Sequence, residues 1–157
     1  MKSTIIGARE LEDALKKLPE RLAKTVVQGG MRAGGTVIAK RAKQNLEANG
    51  SVDSRALLTK VGVRSSKGKA RVGILTGEVT VTRKGRSKPE VVAPARYAHL
   101  VEFGSRAIPA EPFMRPAADE GAEEAVRKIG EVMARGVERE ARAIASGVKS
   151  ATTGRRT

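Results

Sequence analysis

His99, Tyr97 and Glu102 are the residues whose types and spacing come closest to a catalytic group. His99 and Glu102 stand three positions apart, a spacing that places both on one face of a helix. A histidine and a carboxylate placed in this way can act in acid–base catalysis. The chain has a single histidine, however, and no serine or threonine in a nucleophile motif accompanies it. We therefore predict that His99 is a structural hydrogen-bonding residue and that the protein is not an enzyme.

The composition predicts neither a metal site nor a cofactor. The chain has no cysteine, which excludes disulfides and thiolate ligands, and its one histidine stands in no obvious ligand cluster. The glycine-rich segment GGMRAGG (residues 29–35) follows no predicted strand and lacks the Gly-Lys-Ser/Thr of a phosphate-binding loop. No apolar run approaches the roughly 20 residues that cross a membrane, so no membrane partner is expected.

Positive charge is the strongest signal in the composition. The net charge is +14, and residues 60–96 carry ten basic against two acidic side chains, whereas residues 97–141 carry six basic and nine acidic ones. Such an asymmetric chain can attract nucleic acid, or a second copy of itself placed head to tail. The candidate DNA-facing or inter-subunit residues lie in two predicted basic loops: Arg64, Lys67, Lys69, Arg71, Arg83, Lys84, Arg86 and Lys88. No aromatic residue falls in the predicted strands beside these loops, so any DNA contact is expected to be independent of base sequence.

A repeating apolar pattern predicts the helices at the start of the chain. Proline is tolerated in a first turn, so Pro19 divides the pattern into a short helix from about Ala8 to Lys17 and a long helix that runs to about Leu46. The GGMRAGG segment falls within the long helix. It is either a kink, because glycine weakens a helix by about 1 kcal/mol, or a groove where another backbone packs closely. The residues of the stripe are Leu11, Leu15, Leu18, Leu22 and Val26.

The rest of the chain predicts a small sheet followed by two helices. The segment Glu47–Ala56 is rich in turn residues and predicts a loop. A short helix is expected from Ala95 to Phe103, ended by Gly104, and a long helix from Pro112 or Pro116 to about Ser146. The apolar stripe of this last helix comprises Val126, Ile129, Met133, Val137 and Ile144. Three or four antiparallel strands in one meander are predicted from LLTKVGVRS, ARVGIL, EVTVTR and PEVVAP.

These elements predict one α+β domain over residues 1–146 and a basic flexible tail over residues 147–157. Hydrophobic residues make up 39% of the chain but aromatic residues only 2%. A core built mainly from Ala, Val, Leu and Ile is thin, which favours a subunit whose fold is completed by contacts with its neighbours.

The stretch Tyr97–Ala117, YAHLVEFGSRAIPAEPFMRPA, holds all three aromatic residues, the only histidine and half of the prolines. Prolines fix the backbone and remove amide donors, so the segment predicts a stiff loop. Phe113 and Met114 then either plug the core between the sheet and the last helix, or belong to a preorganised docking loop.

The same stretch carries a family resemblance. "YAHLVEFG", followed after a short loop by "PFMRPA" and an acidic helix, resembles the tailed-phage neck proteins called head–tail joining, tail-completion or tail-terminator-like proteins. "IIGARELEDALKKLP" and a long helix ending in "AKRAKQNL" are similar to the start of that family, so the resemblance covers nearly the whole chain. SVDSRALL departs from the Thr-Gly-Leu-like start of the first strand in many relatives. The positions that match the family signature are Tyr97, Glu102, Phe103, Gly104, Pro112, Phe113, Met114, Arg115 and Pro116.

The resemblance implies a non-catalytic α+β subunit of a ring, commonly sixfold, between the capsid connector and the tail tube, with DNA passing through its lumen. The implied partners are further copies of the chain, other neck and tail-tube proteins, and non-specifically contacted genomic double-stranded DNA. The protein would be made in the bacterial host and reside in the virion. The signature residues are expected at a subunit or partner interface, with Phe113 and Met114 as anchors and Arg115 as a directional charge. The alternative function is that of a non-specific nucleic-acid-binding protein, for which the basic middle region suffices.

Overall fold

The computed structural model describes residues 18–49, 52–66, 69–82 and 88–145, and the separate positions 9, 12, 13 and 16. Within these residues the elements are α1 (Glu20–Asn49), α2 (Val52–Lys60), β1 (Val61–Ser66), β2 (Lys69–Ile74), β3 (Val79–Val81), β4 (Glu90–Val92), α3 (Pro94–Phe103) and α4 (Met114–Ala145). The predicted α+β fold is thereby confirmed. The predicted tail, residues 147–157, lies outside the described residues. So does most of the predicted short helix Ala8–Lys17, of which the four described positions are helical.

Helix α1 packs against both the β1–β2 hairpin and α4, because glycines on two of its sides let these elements approach its backbone closely. Gly35 faces the hairpin, and a Cβ on it would lie 2.9 Å from Cγ1 of Val63. Gly34 faces α4, and a Cβ there would lie 2.5 Å from Cγ1 of Ile129. The helix continues through these positions without a break. The GGMRAGG segment is therefore the close-packing groove of the two alternatives.

Helix α4 packs along α1 through its small residues. A Cβ on Gly136 would lie 2.9 Å from Cγ1 of Val26, so the two helices approach closely at this level too. The larger apolar residues predicted to form the buried stripe are half-buried, and Ile144 is 54% exposed. Among the described residues, no helix has a stretch apolar enough to cross a membrane, although α1 and α4 have 30 and 32 residues. The buried small positions of α4 are Ala117, Gly121, Ala125 and Gly136.

The four described strands form two separate antiparallel hairpins, so the single meander was wrong while the number of strands was right. In the β1–β2 hairpin, Val63 pairs with Val72 and Arg64 with Arg71. In the β3–β4 hairpin, Thr80 pairs with Val91. Immediately after β2, the chain bonds back to the end of α2, because the Leu75 amide donates to the Lys60 carbonyl oxygen at 2.7 Å.

Helix α2 replaces half of the predicted loop and the start of the predicted first strand, and α1 extends into the first three residues of that loop. The loop was expected over Glu47–Ala56, but residues from Val52 onward are helical, and β1 begins only at Val61. Ala56 and Leu57 are buried in the described structure. This burial stabilises a short helix that its turn-rich sequence does not favour alone.

The hydrophobic core lies beneath the C-terminal half of α1. Tyr97, Val101 and Met114 are partly buried and pack against it, which joins α3 and the start of α4 to the same core. Phe113 is 2% exposed, so the core-plug interpretation holds for this residue. The buried cluster consists of Ala39, Ala42, Leu46, Leu57, Val61, Phe113 and Ala117.

Candidate interface around the buried Glu102 carboxylate

Glu102, near the end of α3, caps the N-terminus of α4. Its Oε2 accepts hydrogen bonds from the backbone amides of Phe113 at 2.9 Å and Met114 at 2.8 Å, and its Oε1 accepts one from the amide of Arg115 at 3.0 Å. Pro116 follows and has no amide hydrogen. The carboxylate therefore satisfies every amide donor that the first turn of α4 offers, and its charge lies at the positive end of the helix dipole.

The environment of Glu102 determines its protonation. The residue is 6% exposed. Burial raises the pKa of the carboxyl, but the hydrogen bonds from Met114, Phe113 and Arg115 outweigh burial, and the pKa is lowered from its usual value. A carboxylate held by three amides is not placed to exchange protons with the exposed His99. Glu102 therefore has a structural role, whereas the His99 side chain is exposed and forms no hydrogen bond with another described residue, contrary to the prediction for His99.

Gly104 ends α3 in a conformation that other residues rarely adopt. Its φ is 74° and its ψ is −179°, a region occupied almost only by glycine. A Cβ on Gly104 would also lie 2.8 Å from the amide nitrogen of Ala110. This glycine lets the chain turn sharply from α3 into the loop of residues 105–112.

The loop is tied to the fold at several points. The Ser105 amide donates to the Ile108 carbonyl oxygen at 2.8 Å, and the Glu111 amide donates to the Val101 carbonyl oxygen at 2.8 Å. Two side chains of α1 support its far end: Asn45 Nδ2 donates to the Phe113 carbonyl oxygen at 3.0 Å, and Asn49 Nδ2 to that of Glu111 at 3.3 Å. Neither asparagine was predicted from the sequence to support this loop. Their spacing of four on one helix face was the only available signal.

The loop and the adjoining helix ends present a surface of exposed apolar side chains beside one positive charge, that of Arg115. The Phe103 ring is 65% exposed, and the Arg115 guanidinium carbon lies 4.9 Å from its centroid, within cation–π range. Nε of Arg115 also lies 3.4 Å from Oε1 of Glu102. Ile108 is 52% exposed, and Pro112 is exposed too. We call these four residues, Phe103, Ile108, Pro112 and Arg115, the docking surface.

The structure divides the signature residues into two groups. Phe103, Pro112 and Arg115 are exposed and could touch a partner. Glu102 and Phe113 are buried, while Tyr97, Gly104, Met114 and Pro116 are half-buried. The second group holds the first in place, so only Phe103, Pro112 and Arg115 of the signature are fully accessible on the surface.

The described basic residues of the two predicted loops are exposed. Arg64, Lys69 and Arg71 lie on the face of the β1–β2 hairpin opposite to Val63 and Val72, which face α1. Arg64 and Arg71 are register partners, and no ion pair joins either to another described residue. We call Arg64, Lys69 and Arg71 the basic sheet face. Lys88, just before β4, is exposed, and the other members fall outside the described residues: Lys67, Arg83, Lys84 and Arg86.

An acidic cluster lies on the outer side of α4. Asp119 and Glu123 stand four positions apart and are exposed, and neither forms an ion pair within the described part of the chain. Glu120 is also exposed but lies 3.7 Å from Arg41. We call Asp119 and Glu123 the acidic helix face. In the described ranges, no group of three or more His, Cys, Asp or Glu residues could hold a metal ion.

Comparison with known proteins identifies a phage family. Residues 9–104 match the family model described as "Bacteriophage HK97-gp10, putative tail-component". The match therefore spans α1 to Gly104 and includes YAHLVEFG, whereas PFMRPA and α4 follow it. A search of curated proteins and a search of solved structures gave no match.

Proposed function

Because the chain belongs to the HK97-gp10-like family of bacteriophage tail components, we propose that it is a structural virion subunit that forms a ring at the head–tail junction. The ring is built head to tail from copies of this chain, and we expect six copies. It joins the capsid connector to the tail tube and leaves a lumen through which DNA passes. The structural role follows from the family, and the ring, its place and its copy number are the proposal.

Opposite charges on two separate faces of the subunit are the observation that supports the ring proposal. The β1–β2 hairpin and α4 pack on two different sides of α1. The basic sheet face points away from α1 on one of these sides, and the acidic helix face points away from it on the other. Complementary surfaces at two separate places on one chain produce heterologous contacts, which close into a ring when the rotation between subunits is right.

Both faces contain like charges that a neighbour would neutralise. Side chains directly opposite in an antiparallel pair have Cβ atoms about 4.5–5.5 Å apart, so Arg64 and Arg71 repel each other in the isolated subunit. Asp119 and Glu123 repel each other across one helix turn. When the two faces meet, each repulsive pair gains two opposite charges, and this favours the assembled state.

The docking surface is assigned to the contact with another neck or tail-tube protein. Its loop is held by Gly104, by the two asparagines and by the cap at Glu102, so little conformational entropy is lost when it binds. Phe103 supplies an exposed aromatic ring and Arg115 a charge fixed above it, a combination that is common at interaction hot spots.

Charge reversal tests the ring. Arg64→Glu/Arg71→Glu makes the basic sheet face acidic, and Asp119→Lys/Glu123→Lys makes the acidic helix face basic. Each variant alone then brings like charges together, so we expect each to stay monomeric by light scattering at about 0.15 M salt. An equimolar mixture restores both contacts in alternating order, which closes a ring of even copy number.

The outcomes separate the alternatives. Rings of the unaltered chain that weaken toward about 1 M salt, are lost in each variant and return in the mixture support the proposal. Rings that persist in both variants would show that other surfaces make the contact. A chain that stays monomeric at all salt concentrations, and associates only on added duplex DNA, would favour a non-specific nucleic-acid-binding protein instead. Circular dichroism checks that both variants are folded.

A further inference from the structure

A second basic surface runs along α1, in a part of the chain where the sequence pattern predicts no charged binding site. Arg32, Thr36, Lys40 and Lys43 follow one another at spacings of four, four and three, so they lie on one face of the helix. With a rise of 1.5 Å per residue, this row is about 16 Å long. Arg32, Thr36 and Lys40 are exposed and Lys43 is half-buried. We call this row the α1 ridge.

The ridge stands between two grooves. On one side a groove of about 360 Å³ separates it from β1, and its far wall is formed by Val61, Gly62 and Val63. On the other side a groove of about 700 Å³ separates it from α4, with Glu124 and Lys128 on the far wall. β1 is an edge strand of a two-stranded sheet in the described structure, so the backbone along this edge has no neighbouring strand there.

The cations of the ridge form no ion pairs within the described fold. Arg32, Lys40 and Lys43 have no ion pair with another described residue, and no described carboxylate lines the groove beside β1. The neighbouring Arg41 differs, since its Nη2 lies 2.9 Å from Oε2 of Glu124; this hydrogen bond, together with the more distant charge of Lys40, lowers the pKa of Glu124. Lys128 is likewise paired, at 3.1 Å from Glu131. Of the described cations that line the two grooves, only those of the ridge therefore have no ion pair.

We infer that the α1 ridge binds the phosphate backbone of double-stranded DNA. A straight row of cations suits a polyanion that presents charge continuously. One strand of a duplex has a phosphate about every 3.4 Å along the axis, so a row of about 16 Å faces roughly five of them. An acidic strand added to the β1 edge fits less well, because alternate side chains would point away from the helix.

The lining residues indicate which form of nucleic acid is bound. No aromatic side chain lines either groove, so a single strand would find no platform for its bases. Contacts limited to phosphates carry no direct information about base sequence. The ridge therefore binds duplex DNA irrespective of sequence. The isolated subunit carries the whole ridge, so this inference does not depend on the ring.

The test measures affinity for a short random-sequence duplex against salt concentration by fluorescence anisotropy. Each phosphate contact contributes about −0.9 to the slope of log K against log salt, so Lys40→Ala/Lys43→Ala should reduce the slope by about 1.8. At about 0.1 M salt this corresponds to binding about 60-fold weaker, with the difference vanishing near 1 M.

Two matched variants make the test specific. Arg135→Ala/Arg142→Ala removes the same net charge from α4, where both arginines already neighbour glutamates, at 3.5 Å and 4.0 Å. It should change the affinity less than about threefold, because exposed charges more than a Debye length away are screened. Arg64→Ala/Arg71→Ala, in the basic sheet face, should leave the slope nearly unchanged.

Several results would overturn the inference. They are an unchanged slope in the Lys40/Lys43 variant, an equal loss in the Arg135/Arg142 control, a loss confined to the Arg64/Arg71 variant, or tighter binding of a single strand of equal length. Loss of self-association in the Lys40/Lys43 variant with DNA affinity intact would also overturn it, by assigning the ridge to a second copy of the chain. If the ring proposal were wrong, the light-scattering mass would show it, whereas the slope of log K against log salt would be unaffected.

Discussion

Glu102→Gln is the substitution that most directly tests how this structure is held together. Glutamine has nearly the same shape as glutamate, but it has no charge and only one acceptor oxygen. In the native structure Oε2 serves the amides of Phe113 and Met114 while Oε1 serves that of Arg115. Whichever way the glutamine amide is turned, its NH₂ group faces at least one backbone donor that then lacks an acceptor.

The expected loss is large for a single atom. Hydrogen bonds to a charged group contribute about 1.5–3 kcal/mol each, and a buried donor without an acceptor costs about 1–3 kcal/mol. The loss of negative charge at a helix N-terminus adds about 0.3–1 kcal/mol. These contributions overlap, so we expect a decrease of about 2–4 kcal/mol in the free energy of unfolding. In a domain of this size that lowers the Tm by about 5–15 °C.

The pH dependence of the stability provides an independent test of the Glu102 contacts. Because the pKa of Glu102 is lowered in the folded protein, its carboxylate stabilises the fold fully above the unfolded-state pKa, which is about 4.3. This contribution is lost as the pH falls through the lower folded-state pKa. Glutamine mimics the protonated side chain, so the stability difference between the native chain and Glu102→Gln should be constant near pH 7. It should shrink below about pH 4.3.

The assay is urea denaturation followed by circular dichroism at a series of pH values. Glu78→Gln is the matched control, because Glu78 is exposed in the turn between β2 and β3 and its replacement should change stability by less than about 0.5 kcal/mol. A loss below about 0.5 kcal/mol for Glu102→Gln would refute the capping role. So would a stability difference that does not shrink in acid.

Three further predictions concern packing and the surface. Gly34→Ala should lower the free energy of unfolding by about 1–3 kcal/mol, because its Cβ would lie 3.1 Å from the Ala125 carbonyl oxygen and press on α4. Gly29→Ala, where nothing lies within 4 Å of the added atom, should instead raise it by up to about 1 kcal/mol, and equal effects in urea denaturation would contradict the groove. Phe113→Ala should cost about 3–5 kcal/mol by calorimetry, and a cost below about 1 kcal/mol would argue against a core plug. Phe103→Ala should change stability by less than about 1 kcal/mol yet reduce the yield of complete tails in a complementation assay; an undiminished yield would remove Phe103 from the docking surface.

The elements that could be predicted from the sequence are those specified by local patterns. The long helix beginning after Pro19, the short helix closed by Gly104 and four β-branched segments are each encoded within a few residues. Helix α2 could not be predicted in this way. Its sequence favours turns, and the burial of Leu57 against residues distant in the chain outweighs that preference. The same limit applies to the glycines of α1, because a kink and a groove differ only in what lies beside them.

The family resemblance pointed to the residues of the candidate site, but it did not give the physical reason why they occur together. Glu102 acts on residues 11 to 13 positions further along the chain, so no helix or strand periodicity could connect them. The α1 ridge is a different case. Its spacing was readable in the sequence, but only the structure shows that its cations form no ion pair with a described residue, whereas Arg41 on the same helix pairs with Glu124.

One carboxylate connects several of the signature residues. Glu102 binds the amides of α4 up to Arg115, and Pro116 removes the next amide, which would otherwise need an acceptor. The guanidinium of Arg115 contacts both Glu102 and the ring of Phe103, so the charge that caps the helix also orients the exposed pair. On the proposed function, Glu102→Gln should therefore reduce the yield of complete tails even at temperatures where the variant is fully folded. Phe103→Ala should impair it without loss of stability. If Glu102→Gln is destabilised but completes tails normally whenever it is folded, the cap serves the fold alone and does not orient the docking surface.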